Sequence, residues 1–282
     1  MTFAAGSTRP STATDAANTS DAADVTSAPY YRVIAREVEI FEAAAARGLA
    51  LLLKGPTGCG KSRFVEFMAH RSRRELITVA CHDETSAVDL LGRYLIQGGD
   101  TIWQDGPLTR AVRRGAVLYL DEIAEARPDV IVAIHSLTDY RRSLYLDRRG
   151  ETLVAPPEFQ LIASFNPGYQ RGVKELKPST RQRFVALSFD YPEAKIETEI
   201  LTGETGVDSN LATRLTRLAG KIRGFSELAL VETVSTRLLA DAAALMVSGL
   251  PPRLSCRSAI AEPLTDDSDT LAALLDLIAL YF

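Results

Sequence analysis

Cysteine is scarce in this chain, and its few copies stand far apart. There are three, Cys59, Cys81 and Cys256, an odd number at wide spacing, so no disulfide framework is implied. Cys81-His82 has no second Cys/His pair at ligand spacing to match it, which argues against a bound transition metal. Long apolar runs are missing as well. None approaches the ~18 residues of a membrane span, and a reducing cytoplasm is the simplest home for such a chain. Positive charge is not in excess: 32 Lys and Arg against 36 Asp and Glu leave a net charge of −4. No overall basic field therefore points to nucleic acid, although a local basic patch stays open. No Asn-Lys-x-Asp guanine motif occurs, which disfavours a GTP-type switch. The first 28 residues nearly lack large apolar side chains, with only Met1, Phe3 and Val25, and are expected to form a disordered tail. That stretch has no apolar signal-peptide core, and Asp15, Asp21 and Asp24 argue against a mitochondrial presequence.

What remains suits a globular protein with a proper core. The 282 residues are 46% hydrophobic and 24% charged, enough for one large domain or a large plus a small one. The most informative stretch is Gly55-Pro56-Thr57-Gly58-Cys59-Gly60-Lys61-Ser62, which fits the phosphate loop G-x-x-x-x-G-K-[ST]. Its glycines let backbone N–H groups converge on an anion. Lys61 adds a positive charge for the β and γ phosphates, and the Ser62 hydroxyl can ligate Mg²⁺. The apolar run Leu49–Leu53 reads as a buried parallel strand before the loop. Phe64, Phe67, Met68 and Arg71 fall at helical spacing after it, so a helix N-terminus faces the phosphates. Cys59 sits where a helix N-terminus lowers a thiol pKa, or simply fills a variable loop position.

Downstream, apolar runs alternate with helical patterns, which predicts a parallel sheet with helices on both faces. Val33 to Arg47 reads as a leading helix and Leu76 to Ala80 as the second strand. Ala116–Leu120 is a third strand ending in Asp121-Glu122. Strand ends in such sheets deliver side chains to the ligand crevice. Asp121 is expected to hold Mg²⁺, directly or indirectly, and Glu122 to polarise the attacking water. A fourth strand, Phe159–Phe165, ends in Asn166-Pro167-Gly168. Asn166 either orients that water or merely opens a turn before proline. His135, on a helix expected over Pro128 to Asp139, reads as packing. From Tyr191 onward the pattern is helical, over Glu193–Thr202, Leu211–Arg223, Thr233–Met246 and Thr270–Leu280, with a break at Gly249-Leu250-Pro251-Pro252.

A phosphate loop, a strand ending Asp-Glu and a later strand ending in Asn together resemble the AAA+ ATPases. Trp103-Gln104-Asp105-Gly106-Pro107-Leu108 looks like the Gly-Pro-Leu segment of the MoxR branch. Five further stretches tighten the match: Leu53–Glu66, Val79–Asp83, Gly92-Arg93-Tyr94, Phe165–Gln170 and Leu176–Phe184. With Glu262-Pro263-Leu264-Thr265-Asp266-Asp267, they make the chain similar to the CbbQ/NirQ/NorQ family from about Tyr30 onward. It departs from the family pattern at Ile123-Ala124, where that pattern has Val-Val, at Pro128 for Gln and at Ser136 for Pro, none of them a chemical position.

The resemblance implies an α/β fold: an AAA+ phosphate-loop domain with a five-stranded parallel sheet over 29–190, then a small helical lid over 191–282. It implies ATP and Mg²⁺ as ligands, with Gly55 to Ser62, Asp121 and Arg237 binding nucleotide and Ser62 and Asp121 holding the metal. Asn166 would be the first sensor, and Arg237, in Ser235-Thr236-Arg237-Leu238-Leu239, the second. Arg183 or Arg181, just before the strand at Phe184–Leu187, would be the finger that reaches a neighbouring subunit's γ-phosphate. It further implies a homo-oligomer, in similar proteins a hexamer, and a partner with a von Willebrand A domain. The protein client would be of the Rubisco or nitric oxide reductase type. Two β-prone hairpins, turning at Gln97-Gly98-Gly99-Asp100 and Asp147-Arg148-Arg149-Gly150, lie where similar proteins border a central pore, or are plain surface turns. An AAA+ nucleic-acid motor is the alternative, because hairpin-bearing relatives include helicases.

Overall fold

The computed structural model describes residues 28–167, 176–225 and 230–282. The tail expected over the first 28 residues therefore lies outside the described residues except for Ala28, as do Gly168, Tyr169 and Gln170. The chain begins with α1 (Glu37–Ala46), β1 (Leu51–Lys54), α2 (Lys61–Arg71), β2 (Leu76–Ala80) and α3 (Ala87–Leu91). A first hairpin, β3 (Gly92–Gln97) and β4 (Asp100–Asp105), precedes α4 (Pro107–Arg114), β5 (Val117–Asp121) and α5 (Pro128–Ile134). A second hairpin, β6 (Ser143–Leu146) and β7 (Glu151–Val154), leads to β8 (Gln160–Phe165), α6 (Pro178–Arg181) and β9 (Val185–Ser188). The C-terminal region is helical: α7 (Ala194–Thr205), α8 (Ser209–Arg223), α9 (Thr236–Val247), α10 (Pro252–Cys256), α11 (Glu262–Leu264) and α12 (Ser268–Tyr281).

Five strands form one parallel sheet in the order β2-β5-β8-β1-β9. The apolar runs are continuous because both faces are covered. On β1, Leu51 and Leu53 meet Phe41, Phe64, Val65 and Met68 on one face, while Leu52 joins the opposite cluster with Leu118, Leu120, Val112 and Val130. The C-terminal helices enclose a separate core, which includes Leu201, Leu215, Leu239, Ile260 and Leu274. Among the described residues no helix is long and apolar enough to cross a membrane.

Several element boundaries differ from expectation, and three of them have a local cause. Helix α1 starts at Glu37 and not at Val33, because the Glu37 carboxylate turns back to accept the N–H groups of Ile34 and Ala35 at 2.8 and 2.7 Å. Helix α5 stops at Ile134, and the chain tightens to a 3₁₀ turn over His135–Leu137. The N–H and hydroxyl of Thr138 both donate to the His135 carbonyl there. At Gly249-Leu250-Pro251-Pro252 the helix breaks, but helical structure resumes at once through α10, a π turn over Arg257–Ala261 and α11. Proline fits the first turn of a helix, where its missing N–H leaves no bond unmade, so Pro252 starts a helix instead of ending one.

The two hairpins are joined to each other. Gly98 and Gly99 hold positive φ of 64° and 95°, as a two-residue turn between twisted strands requires. Tyr94 packs edge-on against Trp103 at 5.1 Å, and its hydroxyl donates to the Arg148 carbonyl. The Arg149 guanidinium lies over the Trp103 ring at 5.9 Å and pairs with Glu151 at 3.2 Å. Arg113 ties Asp105 to Glu151. Of the two arginines read as a basic tip, Arg149 is thus a strut between hairpins.

Candidate nucleotide site

The loop between β1 and α2 adopts the shape its glycines permit. Gly58 and Gly60 hold φ of 68° and 97°, a region costly for other residues. A side chain at Gly58 would also strike Ser235 at 2.7 Å, so the loop packs directly on the start of α9. Lys61 is only 7% exposed. Its Nζ donates to the carbonyls of Gly55 and Pro56, each at 2.8 Å, and to Asn166 Oδ1 at 2.7 Å. Burial lowers its pKa, a shift that the carboxylates of Asp121 and Glu122 oppose. Cys59 is buried beside it, and desolvation raises the thiol pKa, so the lowering expected of a helix N-terminus is outweighed.

The sheet delivers the acidic pair. β5 ends in Asp121, whose Oδ1 accepts the Tyr119 hydroxyl at 2.6 Å and the Ser164 hydroxyl. The Tyr119 oxygen also lies 3.3 Å from Ser62 Oγ, linking the loop serine to the carboxylate. Glu122 follows in a left-handed conformation, φ 55°, fixed by its N–H donating to Ser164 Oγ at 2.8 Å. Burial first, then the Asp121 charge, raises the Glu122 pKa. Asn166, at the end of β8, donates to Thr57 Oγ1 at 3.2 Å and to Glu122 Oε1 at 3.4 Å. One amide thus contacts the loop lysine, the loop threonine and the glutamate.

These groups line a cleft between the sheet and the C-terminal helices. Lys61, Ser62, Asp121, Glu122, Asn166 and Arg237 border it, with Tyr31, Ile34 and Ile200 supplying apolar wall. Arg237 is brought there from the first turn of α9, where the Ser235 side chain caps the helix by accepting from the Leu238 N–H. Arg181 borders the adjoining cleft beside Lys54, Asn166 and Pro167. Arg183 is not brought to the chain's own loop. It pairs with Asp139 at 3.5 Å, and its charge, after burial, lowers the His135 pKa.

Tyr119 and Ser164 were not singled out in the sequence. Their signal is period two: each stands two residues before a strand-end chemical residue and so shares its face.

The chemistry available here is binding of a phosphate chain and positioning of a water beside it. The donor set suits a magnesium nucleotide: a lysine for phosphate, and a hydroxyl and carboxylate oxygen for a hard cation. Comparisons agree. The family model described as AAA domain (dynein-related subfamily) matches residues 50–184, and that described as CbbQ/NirQ/NorQ C-terminal matches 197–281. The chain is 57% identical over 253 residues to the denitrification regulatory protein NirQ of Pseudomonas aeruginosa, covering 90% of this chain and 97% of that one. Identity is also 57% over 255 residues to protein NorQ of Paracoccus denitrificans, covering 90% and 94%. It is 51% over 250 residues to protein CbbQ of Hydrogenophilus thermoluteolus, covering 89% and 94%. A proline-to-glycine mutant of RuvB from Thermotoga maritima shares the fold, with a TM-score of 0.50 at 18% identity over 84% of this chain and 66% of that one. Likeness of this extent, running through the nucleotide-binding half and the helical C-terminal region alike, makes the chain a member of the CbbQ/NirQ/NorQ family of AAA+ ATPases.

Proposed function

We propose that this ATPase acts as a ring, a hexamer by its family resemblance, that hydrolyses magnesium ATP to remodel a protein client together with a von Willebrand A domain partner. The observation that carries the hydrolytic part is the junction at Asn166, which bonds to Lys61 and Glu122 at once. In this reading Lys61 exchanges its carbonyl partners for phosphate oxygens, while the loop N–H groups from Thr57 to Ser62 surround the phosphates. Glu122 accepts a hydrogen bond from the attacking water, and Asn166 holds both water and glutamate in line. Bound Mg²⁺, held by Ser62 and Asp121, would neutralise charge building on the phosphate oxygens. Arg237 reaches the γ-phosphate of its own chain. Arg183, turned away from its own loop, reaches a neighbour's, with Arg181 the second choice. The helical region from 191 onward then works as a lid over the nucleotide.

Clients of the Rubisco or nitric oxide reductase type are proposed from family membership. One of the named relatives is a denitrification regulatory protein, and another is a CbbQ. ATPase assays with DNA, and with client plus partner, decide between the two readings: a remodeller responds to its client, whereas stimulation by DNA alone would favour a nucleic-acid motor.

The hairpins are the proposed coupling elements. Replacing Gln97-Gly98-Gly99-Asp100 with a neutral turn, or making Arg148→Ala or Arg149→Ala, should leave basal turnover within several-fold, since none lies in a phosphate-binding motif. Client activation should fall sharply in at least one variant. Arg149→Ala should act most widely, because it removes the strut over Trp103. Full activation by all three would leave a surface scaffold acting through the partner as the better account.

A further inference from the structure

Behind the start of α9 lies a fully buried carboxylate for which nucleotide chemistry has no use. Glu197, on α7, is 1% exposed. Its two oxygens accept the Arg223 guanidinium end-on, Oε1 from Nη2 at 2.7 Å and Oε2 from Nη1 at 2.9 Å, and Oε1 also accepts the Thr236 hydroxyl at 2.6 Å. Thr236 is the first residue of α9 and the neighbour of Arg237. Arg223 spends its third donor on the Val234 carbonyl at 2.9 Å, so it grips the segment leading into that helix as well.

The other face of the Arg223 guanidinium continues the chain of contacts. It stacks 4.2 Å from the ring centre of Tyr191, and the Tyr191 hydroxyl donates to the Thr57 carbonyl of the phosphate loop at 3.1 Å. The next loop residue, Gly58, packs against Ser235 and Arg237 so closely that a methyl group there would collide. The contacts close on themselves: Thr57, Tyr191, Arg223, Glu197, Thr236, then back through Ser235 and Arg237 to Gly58.

We propose that Glu197 is a positioning residue, clamping the start of the Arg237 helix and the phosphate loop into one unit through Arg223, Tyr191 and Thr236. The proposal rests on the reading of Arg237 as a γ-phosphate contact. A buried ion pair is weak evidence of a stabilising role, since apolar replacements are often as stable. What such a pair does supply is direction: a bidentate guanidinium and a third bond fix the carboxylate in one orientation, and with it both groups it holds. A shift of α9 relative to the loop has to break one link of this chain, a charged bond at Glu197, the stacking on Tyr191 or the Tyr191 bond to Thr57. Arg237 and Thr57 therefore move together or not at all.

The test uses three conservative variants of the full chain. Thr236→Val keeps shape and removes only the hydroxyl. Tyr191→Phe keeps the ring over Arg223 and loses only the bond to Thr57. Glu197→Gln keeps volume and removes the charge. Thr236→Val should lower kcat about tenfold with KM little changed, while the same lost hydrogen bond to a buried charge lowers the melting temperature by roughly several degrees. Tyr191→Phe should weaken binding of a fluorescent ATP analogue several-fold. The double variant Thr236→Val with Arg237→Ala should be no slower than Arg237→Ala alone, because Thr236 acts through Arg237.

Should Glu197→Gln fail to fold, the Thr236 and Tyr191 variants still decide the matter. If Arg237→Ala is slow but its loss multiplies with that of Thr236→Val, the clamp is overturned while the role of Arg237 stands. Wild-type kcat in Thr236→Val likewise overturns the clamp. If Arg237→Ala itself turns over normally, the underlying reading of Arg237 fails and the clamp falls with it.

Discussion

Lys61→Ala will lose ATP binding by about 10²-fold or more, whereas Glu122→Gln will still bind ATP but turn it over about 10²–10⁴ times more slowly. The two residues lie in one cleft, joined by Asn166, yet they act on different quantities. Removing the lysine takes away the loop's only side-chain cation, so in the proposed reading phosphate charge goes uncompensated and ground-state affinity collapses. Removing one charge from Glu122 leaves its contact geometry and takes away only the acceptor for the water's proton. A change made only in the transition state lowers kcat and kcat/KM together. Equilibrium binding of a fluorescent nucleotide and steady-state hydrolysis separate the effects, and turnover at the wild-type rate by Glu122→Gln would remove Glu122 from the mechanism.

Arg183→Ala should bind ATP normally and hydrolyse it about 10³-fold or more slowly. In the proposed ring, Arg183, which pairs with Asp139 and does not border its own cleft, would reach phosphate across a boundary between copies. Mixing Arg183→Ala with Glu122→Gln should restore part of the activity, because some boundaries then join an intact Glu122 to an intact Arg183. Exchange of subunits between the variants, followed by energy transfer between labelled chains, is the control. With exchange demonstrated, mixtures that stay inactive at every ratio would count against Arg183 and turn attention to Arg181. The Asp139 pair is no obstacle to such a reach, since it is long at 3.5 Å and Arg141 holds the same carboxylate at 2.7 Å.

The parts of the site that were legible in the sequence are those made by neighbours in the chain. The loop from Gly55 to Ser62 and the strand end at Asp121-Glu122 carry their chemistry in consecutive residues, so spacing alone reveals them. Tyr119 and Ser164 were hidden inside apolar runs, where a polar residue looks like noise until strand alternation places Tyr119, and the pairing of β5 with β8 places Ser164, beside Asp121. Arg237 depended on resemblance, because an arginine on a helix is far more often solvated. The Glu197 clamp could not be read at all: its partners stand 26 and 39 residues away, and only the packing of α7, α8 and α9 brings them together. The sheet was readable because β1, β5 and β8 are buried on both faces. Helix α10 was not, since proline marks a helix start as readily as a stop.

Trp103 is the only tryptophan in the 282 residues, and it stands where the two hairpins meet, between the Tyr94 ring and the Arg149 guanidinium. Intrinsic fluorescence of the unlabelled protein is therefore a local signal. Emission excited at the red edge of the indole band reports one indole, at one joint, whose neighbours change if the hairpins part. Nucleotide can be added and the joint watched in real time, without a dye or an added cysteine.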